Sequence, residues 1–131
     1  RGPVIASHSN ARGACFHLRN LSDEMIRQLA ERGGVTGINF CPSFLREEEP
    51  ATKKASTMDM VRHMKYLRNV GGIDIIGLGT DFDGFSGETD VPDTAHMQHL
   101  ADVMSHDGFT DEEIEKVFSK NVLRVFRECW K

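Results

Sequence analysis

The sequence predicts an α/β fold in which parallel strands alternate with helices. Three observations carry this reading. Strand-like apolar runs occur at residues 4–8, 35–42 and 73–82. A segment of helical periodicity follows each of them, and glycines stand where the first two helices should stop. Strand–loop–helix repeated in this way requires crossover connections and therefore parallel strands. Two architectures satisfy the pattern: a small open sheet, or a segment of a (β/α)₈ barrel. A complete barrel takes about 250 residues, and the chain has 131 in one domain, 1–131. In either case reactive groups belong at the carboxyl ends of the strands.

The elements follow in order. "PVIASHSNARG" runs from Val4, Ile5 and Ala6 into Ser7, His8, Ser9 and Asn10, so the first strand delivers an imidazole to a loop. In "SDEMIRQLAERGG", Ser22 is an N-cap, acids fill the first turn, Ile26, Leu29 and Ala30 share a face, and Gly33 ends the helix. "VTGINFCP" is the second strand, and the "REEE" beyond it reads as a solvated turn. A helix from about Thr57 carries Val61, Met64, Leu67 and Val70 and ends at Gly71 and Gly72. "IDIIGLGTDF" is almost continuously apolar, as in a strand buried on both faces. Two helices close the chain. One covers about 93–105, and one opens on the Thr110–Glu113 capping box and presents Ile114, Val117, Phe118, Val122, Val125 and Phe126.

Composition narrows the function. Sixteen Lys and Arg against twenty Asp and Glu give a net charge of −4. That argues against a phosphate-neutralising surface, so no nucleic-acid partner is expected. No apolar run reaches the roughly 18–20 residues of a membrane span. Cys15, Cys41 and Cys129 are odd in number and lack CxxC spacing. They read as reduced thiols and suggest a cytoplasmic protein rather than a disulfide framework.

Two stretches carry chemistry. His8 at the end of the first strand is either a strand-capping residue or a metal ligand or base. In "GLGTDFDG", Gly77 and Gly79 allow another group to approach the backbone. Asp81 then stands at the strand tip, either as a turn cap or as a carboxylate for a metal or a proton. The Asp81-x-Asp83-Gly84 run is not a calcium loop, because Gly84 is fourth and Pro92 is twelfth. The glycines form neither GxGxxG nor a P-loop. His96 and His99 lie one helical turn apart but are expected to face solvent. His63 reads as structural, and the methionines as core.

"SHSNAR…HLRNLSDE" (7–24), "VTGINF" (35–40), "GLGTDFDG" (77–84) and "NVLRVF" (121–126), in that order, resemble the membrane dipeptidase family of zinc peptidases. The resemblance implies a (β/α)₈ barrel with two zinc ions that hydrolyses dipeptides. It implies that His8 is a zinc ligand at the end of the sixth strand. Arg19 would grip the substrate's free carboxylate, and Asp81 would be the acid/base aspartate ending the eighth strand. His17 matches a histidine usual in bacterial members, and Leu18 replaces their usual proline. The family's early His-x-Asp, its bridging Glu and its fifth-strand His have no counterpart here. The chain is therefore expected to be the C-terminal part of the barrel, about strands six to eight, with zinc absent or weakly bound in the piece alone. The remaining N-terminal barrel portion, or a second copy of the chain, is the expected partner. A different amidohydrolase-type activity, or an assembly module that has lost its site, are the alternatives.

Overall fold

The computed structural model describes residues 2–47 and 53–131. Its strands are β1 (Ile5–Ala6), β2 (Val35–Ile38), β3 (Lys54–Ala55), β4 (Ile76–Leu78) and β5 (Glu88–Thr89). Its α-helices are α1 (Asp23–Glu31), α2 (Pro42–Leu45), α3 (Thr57–Gly71), α4 (Met97–His106), α5 (Asp111–Glu115) and α6 (Asn121–Cys129). The main sheet has the order β1-β2-β4 and is parallel throughout, with Ile5 opposite Val35 and Gly37 opposite Gly77. Helix α1 connects β1 to β2 and α3 connects β2 to β4, as the repeated unit requires. A second parallel pair, β3-β5, was not foreseen from the sequence. Of the "REEE" turn, Arg46 and Glu47 are exposed, and Glu48 and Glu49 lie outside the described residues.

The local chemistry explains the helix boundaries. The Ser22 hydroxyl accepts the Met25 N–H at 3.3 Å and starts α1, and Gly33 at φ +67° ends that turn. Thr110 and Glu113 exchange both capping-box hydrogen bonds at 3.1 Å. A π turn, Lys116–Lys120, joins α5 to α6 without a break.

The strands are shorter than the apolar runs, each for a stated reason. The third run spends Ile73–Ile75 on a 3₁₀ turn. The buried Asn121 side chain donates to the Ile73 and Ile76 carbonyls, both at 2.8 Å. β2 stops at Ile38 because the Asn10 side chain takes the main chain of Asn39, and Pro42 then opens the unforeseen α2. β1 stops at Ala6 because Ser7 and His8 cross over the sheet. A Cβ on Gly37 would lie 2.3 Å from the Ser7 oxygen, and one on Gly79 would lie 2.0 Å from it. These two glycines admit the crossing; of the expected pair Gly77 and Gly79 only Gly79 does so, and Gly77 instead faces side chains of Val35 and Val122.

The core contains Ile26, Ile38, Phe40, Leu45, Met60, Met64, Leu67, Ile76, Leu100 and Met104, all fully buried. Met25 and Met58 are exposed, as is Phe126, against the expectation that they pack inside.

His63 is fully buried in this core, in keeping with the structural role expected of it. Its Nδ1 accepts the Ala11 N–H at 3.2 Å, and its Nε2 faces the Leu45 carbonyl at 2.8 Å. One ring therefore ties the loop after β1 to the end of α2. Nδ1 must be the bare nitrogen, and Nε2 carries the proton. Burial holds the pKa down, from its ordinary 6.5 to about 4. Below pH 6.5 the unfolded chain takes up a proton that the folded ring refuses. Stability should therefore be complete above pH 6.5 and fall as the pH drops toward 4, by on the order of 3 kcal/mol from this residue. Urea midpoints measured from pH 4 to 7 on the wild type and on His63→Gln check this: the slope should flatten in the variant.

Candidate active site

The crossing segment places His8 at the carboxyl end of the sheet, half-buried. Its Nδ1 lies 2.7 Å from the Ser7 hydroxyl, and its Nε2 lies 3.4 Å from the Arg19 guanidinium. A guanidinium can only donate. Its contact therefore requires the lone pair on Nε2 and leaves the proton on Nδ1, directed at Ser7.

Arg19 reaches this position from the loop between β1 and α1. Its side chain is exposed, with the guanidinium carbon 5.0 Å from the centre of the Phe44 ring on α2. Its main-chain N–H donates to His17 Nδ1 at 3.1 Å, and the His17 ring packs edge-on against Phe44. Arg12 donates to the carbonyls of Leu18 at 3.0 Å and Asn20 at 3.1 Å. Buried Asn20 donates in turn to the carbonyls of Cys15 and Phe44, both at 2.9 Å. The loop that presents Arg19 is thus cross-linked at several points, and Leu18 projects its side chain into solvent.

Asp81 follows β4 at the same end of the sheet. It has φ +62°, and no other non-glycine among the described residues has a positive φ. Asp tolerates this left-handed conformation better than most residues, and such outliers concentrate at functional sites. Its main chain closes a tight turn, with the Gly84 N–H donating to the Asp81 carbonyl at 2.9 Å. Its Oδ2 accepts from the side-chain amide of Asn39 at 3.2 Å. The same Asn39 amide lies 3.5 Å from the His8 carbonyl. The structure therefore brings His8, Arg19 and Asp81 to one end of one sheet, with Arg19 against the His8 ring and Asn39 linking His8 to Asp81.

Sequence reasoning passed over Asn39, Asn10, Arg12 and Phe44. Asn39 left a usable signal, as a polar residue within the apolar run "VTGINFCP" at a strand's carboxyl end. Phe44 left none, since its role depends on an unforeseen helix. His96 is exposed and bonded through Nδ1 to Asp93 at 2.6 Å, and His99 is exposed on α4. Neither joins the strand-end group.

A zinc centre needs three or four converging His, Cys or carboxylate donors. Among the described residues no group of three or more such side chains is placed to hold a metal ion. The lone pair of His8 faces a guanidinium. The described residues do not by themselves fit a metal centre.

Comparison with known proteins decides the family. The model of the membrane dipeptidase family (peptidase family M19) matches residues 1–130. The chain belongs to peptidase family M19. It is 35% identical over 127 residues to the dipeptidase TcpJ of Claviceps purpurea, covering 96% of this chain and 29% of that protein. It is 35% identical over 128 residues to an uncharacterised protein of the pqqA 5′ region in Klebsiella pneumoniae, covering 98% of this chain and 47% of that one. Among solved structures, a metallopeptidase from Rhodobacter sphaeroides bound to a phosphinate mimic of the dipeptide L-Ala-D-Ala superposes with a TM-score of 0.91. It is 29% identical, over 98% of this chain and 37% of that one. A dipeptidase described as an M19 metallopeptidase gives the same TM-score and identity. The M19 chain described here thus spans between about a third and a half of these relatives. Among its described residues no helix is long and apolar enough to cross a membrane.

Proposed function

We propose that residues 1–131 are the C-terminal part, about strands six to eight with their helices, of a single (β/α)₈ barrel domain in a zinc-dependent dipeptidase. Alone, the chain is inactive. The observation that carries this reading is the convergence of an imidazole, a guanidinium and a carboxylate at one end of the parallel sheet, in a chain of the M19 family. The R. sphaeroides relative, bound to a dipeptide mimic, supports a dipeptide as substrate class.

In this reading Arg19 binds the free carboxylate of the dipeptide. A planar guanidinium offers a bidentate fork for that group, and the Phe44 ring lies beside it, 5.0 Å from the guanidinium carbon. Asp81 takes a proton from the attacking water and returns it to the leaving amine. His8 is one ligand of the zinc site, and the other ligands belong to the upstream part of the barrel.

The sheet supports that division. Among the described residues neither β1 nor β4 has a second strand neighbour. Val4 and Ile5 are 43% and 42% exposed beside one edge. The upstream barrel portion is the partner for these edges, and in its absence a second copy of the chain takes its place. The cysteine usage supports a cytoplasmic location.

The test is hydrolysis of dipeptides with added zinc, by the complete protein and by residues 1–131 alone. The complete protein should turn over and the piece should not. In the complete protein Arg19→Ala should raise KM for a dipeptide about 10- to 100-fold while kcat changes little, as expected for loss of a charged substrate contact. Turnover by the piece alone, or an unchanged KM in Arg19→Ala, would overturn the corresponding half of the proposal.

A further inference from the structure

The carboxylate of Asp81 is held from two sides by groups that carry no charge. On one side stands Asn39, which is fully buried. Each polar group of Asn39 has a partner. Its side-chain oxygen accepts the Cys41 N–H at 2.8 Å, which fixes the amide's orientation and directs its NH₂ toward Asp81 Oδ2 at 3.2 Å. Its main-chain N–H donates to Asn10 Oδ1 at 2.8 Å, and its carbonyl accepts from Asn10 Nδ2 at 2.9 Å. Asn10, also fully buried, therefore clasps the peptide that carries the amide. On the other side stands Gly84. A Cβ there would lie 2.0 Å from Asp81 Oδ1 and 2.7 Å from the carboxyl carbon. The carboxylate occupies the space that any larger residue at 84 would fill.

We infer that Asn39 and Gly84 are positioning residues for Asp81, Asn39 by an oriented hydrogen bond to one carboxylate oxygen and Gly84 by leaving room for the other. The inference rests on the proposed role of Asp81 in dipeptide hydrolysis. It accounts for a polar side chain at the end of an otherwise apolar strand, and for the aspartate's left-handed backbone, which turns the side chain back over Gly84. An acid/base group must lie within hydrogen-bond reach of the proton it moves. A misplacement of about 1 Å can cost on the order of 100-fold in rate.

The experiment measures kcat and KM for a dipeptide in the complete, zinc-loaded protein. The variants are Asn39→Ala, Gly84→Ala and Asp81→Asn, together with the doubles Asn39→Ala/Asp81→Asn and Gly84→Ala/Asp81→Asn. Gly84 is exposed in a loop, and the atoms its new methyl would meet all belong to the Asp81 carboxyl group and not to main chain. Gly84→Ala therefore keeps the inference testable if Asn39→Ala does not fold. Each positioning variant should lower kcat about 10- to 100-fold with KM unchanged. Neither should lower it further once Asp81 is Asn, since both act through that carboxylate. A wild-type kcat in Gly84→Ala, or losses that multiply with that of Asp81→Asn, would overturn the inference and leave the role of Asp81 standing. A wild-type kcat in Asp81→Asn would instead remove the role of Asp81, and the inference with it.

Discussion

Asp81→Asn in the complete protein is expected to lower kcat by about 10²- to 10⁴-fold, the range of a lost general acid/base. The amide is nearly isosteric, and it can keep one oxygen toward Asn39. Folding should therefore survive, and KM should change little if Arg19 binds the substrate's carboxylate as proposed. The loss should also persist at saturating zinc, because it lies in proton transfer. Steady-state kinetics with a thermal unfolding curve separate these effects. A normal unfolding midpoint with collapsed kcat is the expected pair, and wild-type turnover would remove Asp81 from the chemistry.

Gly79→Ala is expected to destabilise residues 1–131 by about 3 kcal/mol or more, at or above the upper end of the usual cost of overpacking. The new methyl would sit 2.0 Å from the Ser7 carbonyl and 3.0 Å from the His8 Cα. Both are main-chain atoms of the crossing segment, so no rotamer change relieves the clash, and the segment must lift. Gly77→Ala provides the contrast. Its methyl would meet side chains of Val35 and Val122 at 3.0 Å, which can yield, so the loss should be smaller. Urea denaturation of the three proteins checks the order, and equal midpoints for Gly79→Ala and wild type would refute it. In the complete protein Gly79→Ala should also displace His8.

Much of the layout was legible because it depends on periodicity. The apolar faces of α1 and α3, the caps at Ser22 and Thr110, and the parallel order of the three main strands all follow from local pattern. The limits of β2 and β4 did not, since a side chain distant in sequence decides each one. Asn10 ends β2, and Asn121 bends the chain before β4. Propensity cannot register such long-range amide clasps. For the candidate site, His8 and Asp81 were singled out at strand ends and Arg19 from motif resemblance, and the fold places them at one end of one sheet. Their supports were hidden, because a buried asparagine that organises backbone looks in sequence like any polar interruption. Phe126 was misassigned because the helical repeat identifies a stripe without saying what it covers. Leu123, Phe126 and Trp130 form an outward row on and just beyond α6.

The open sheet has a consequence for how this segment behaves as a molecule. Among the described residues β2 lies between two strands, whereas β1 and β4 each have a strand on one side only, and the Ile76 carbonyl of β4 is taken by the Asn121 side chain. The segment is therefore held most firmly at β2, and the outer margins of β1 and β4 are where a further strand would add.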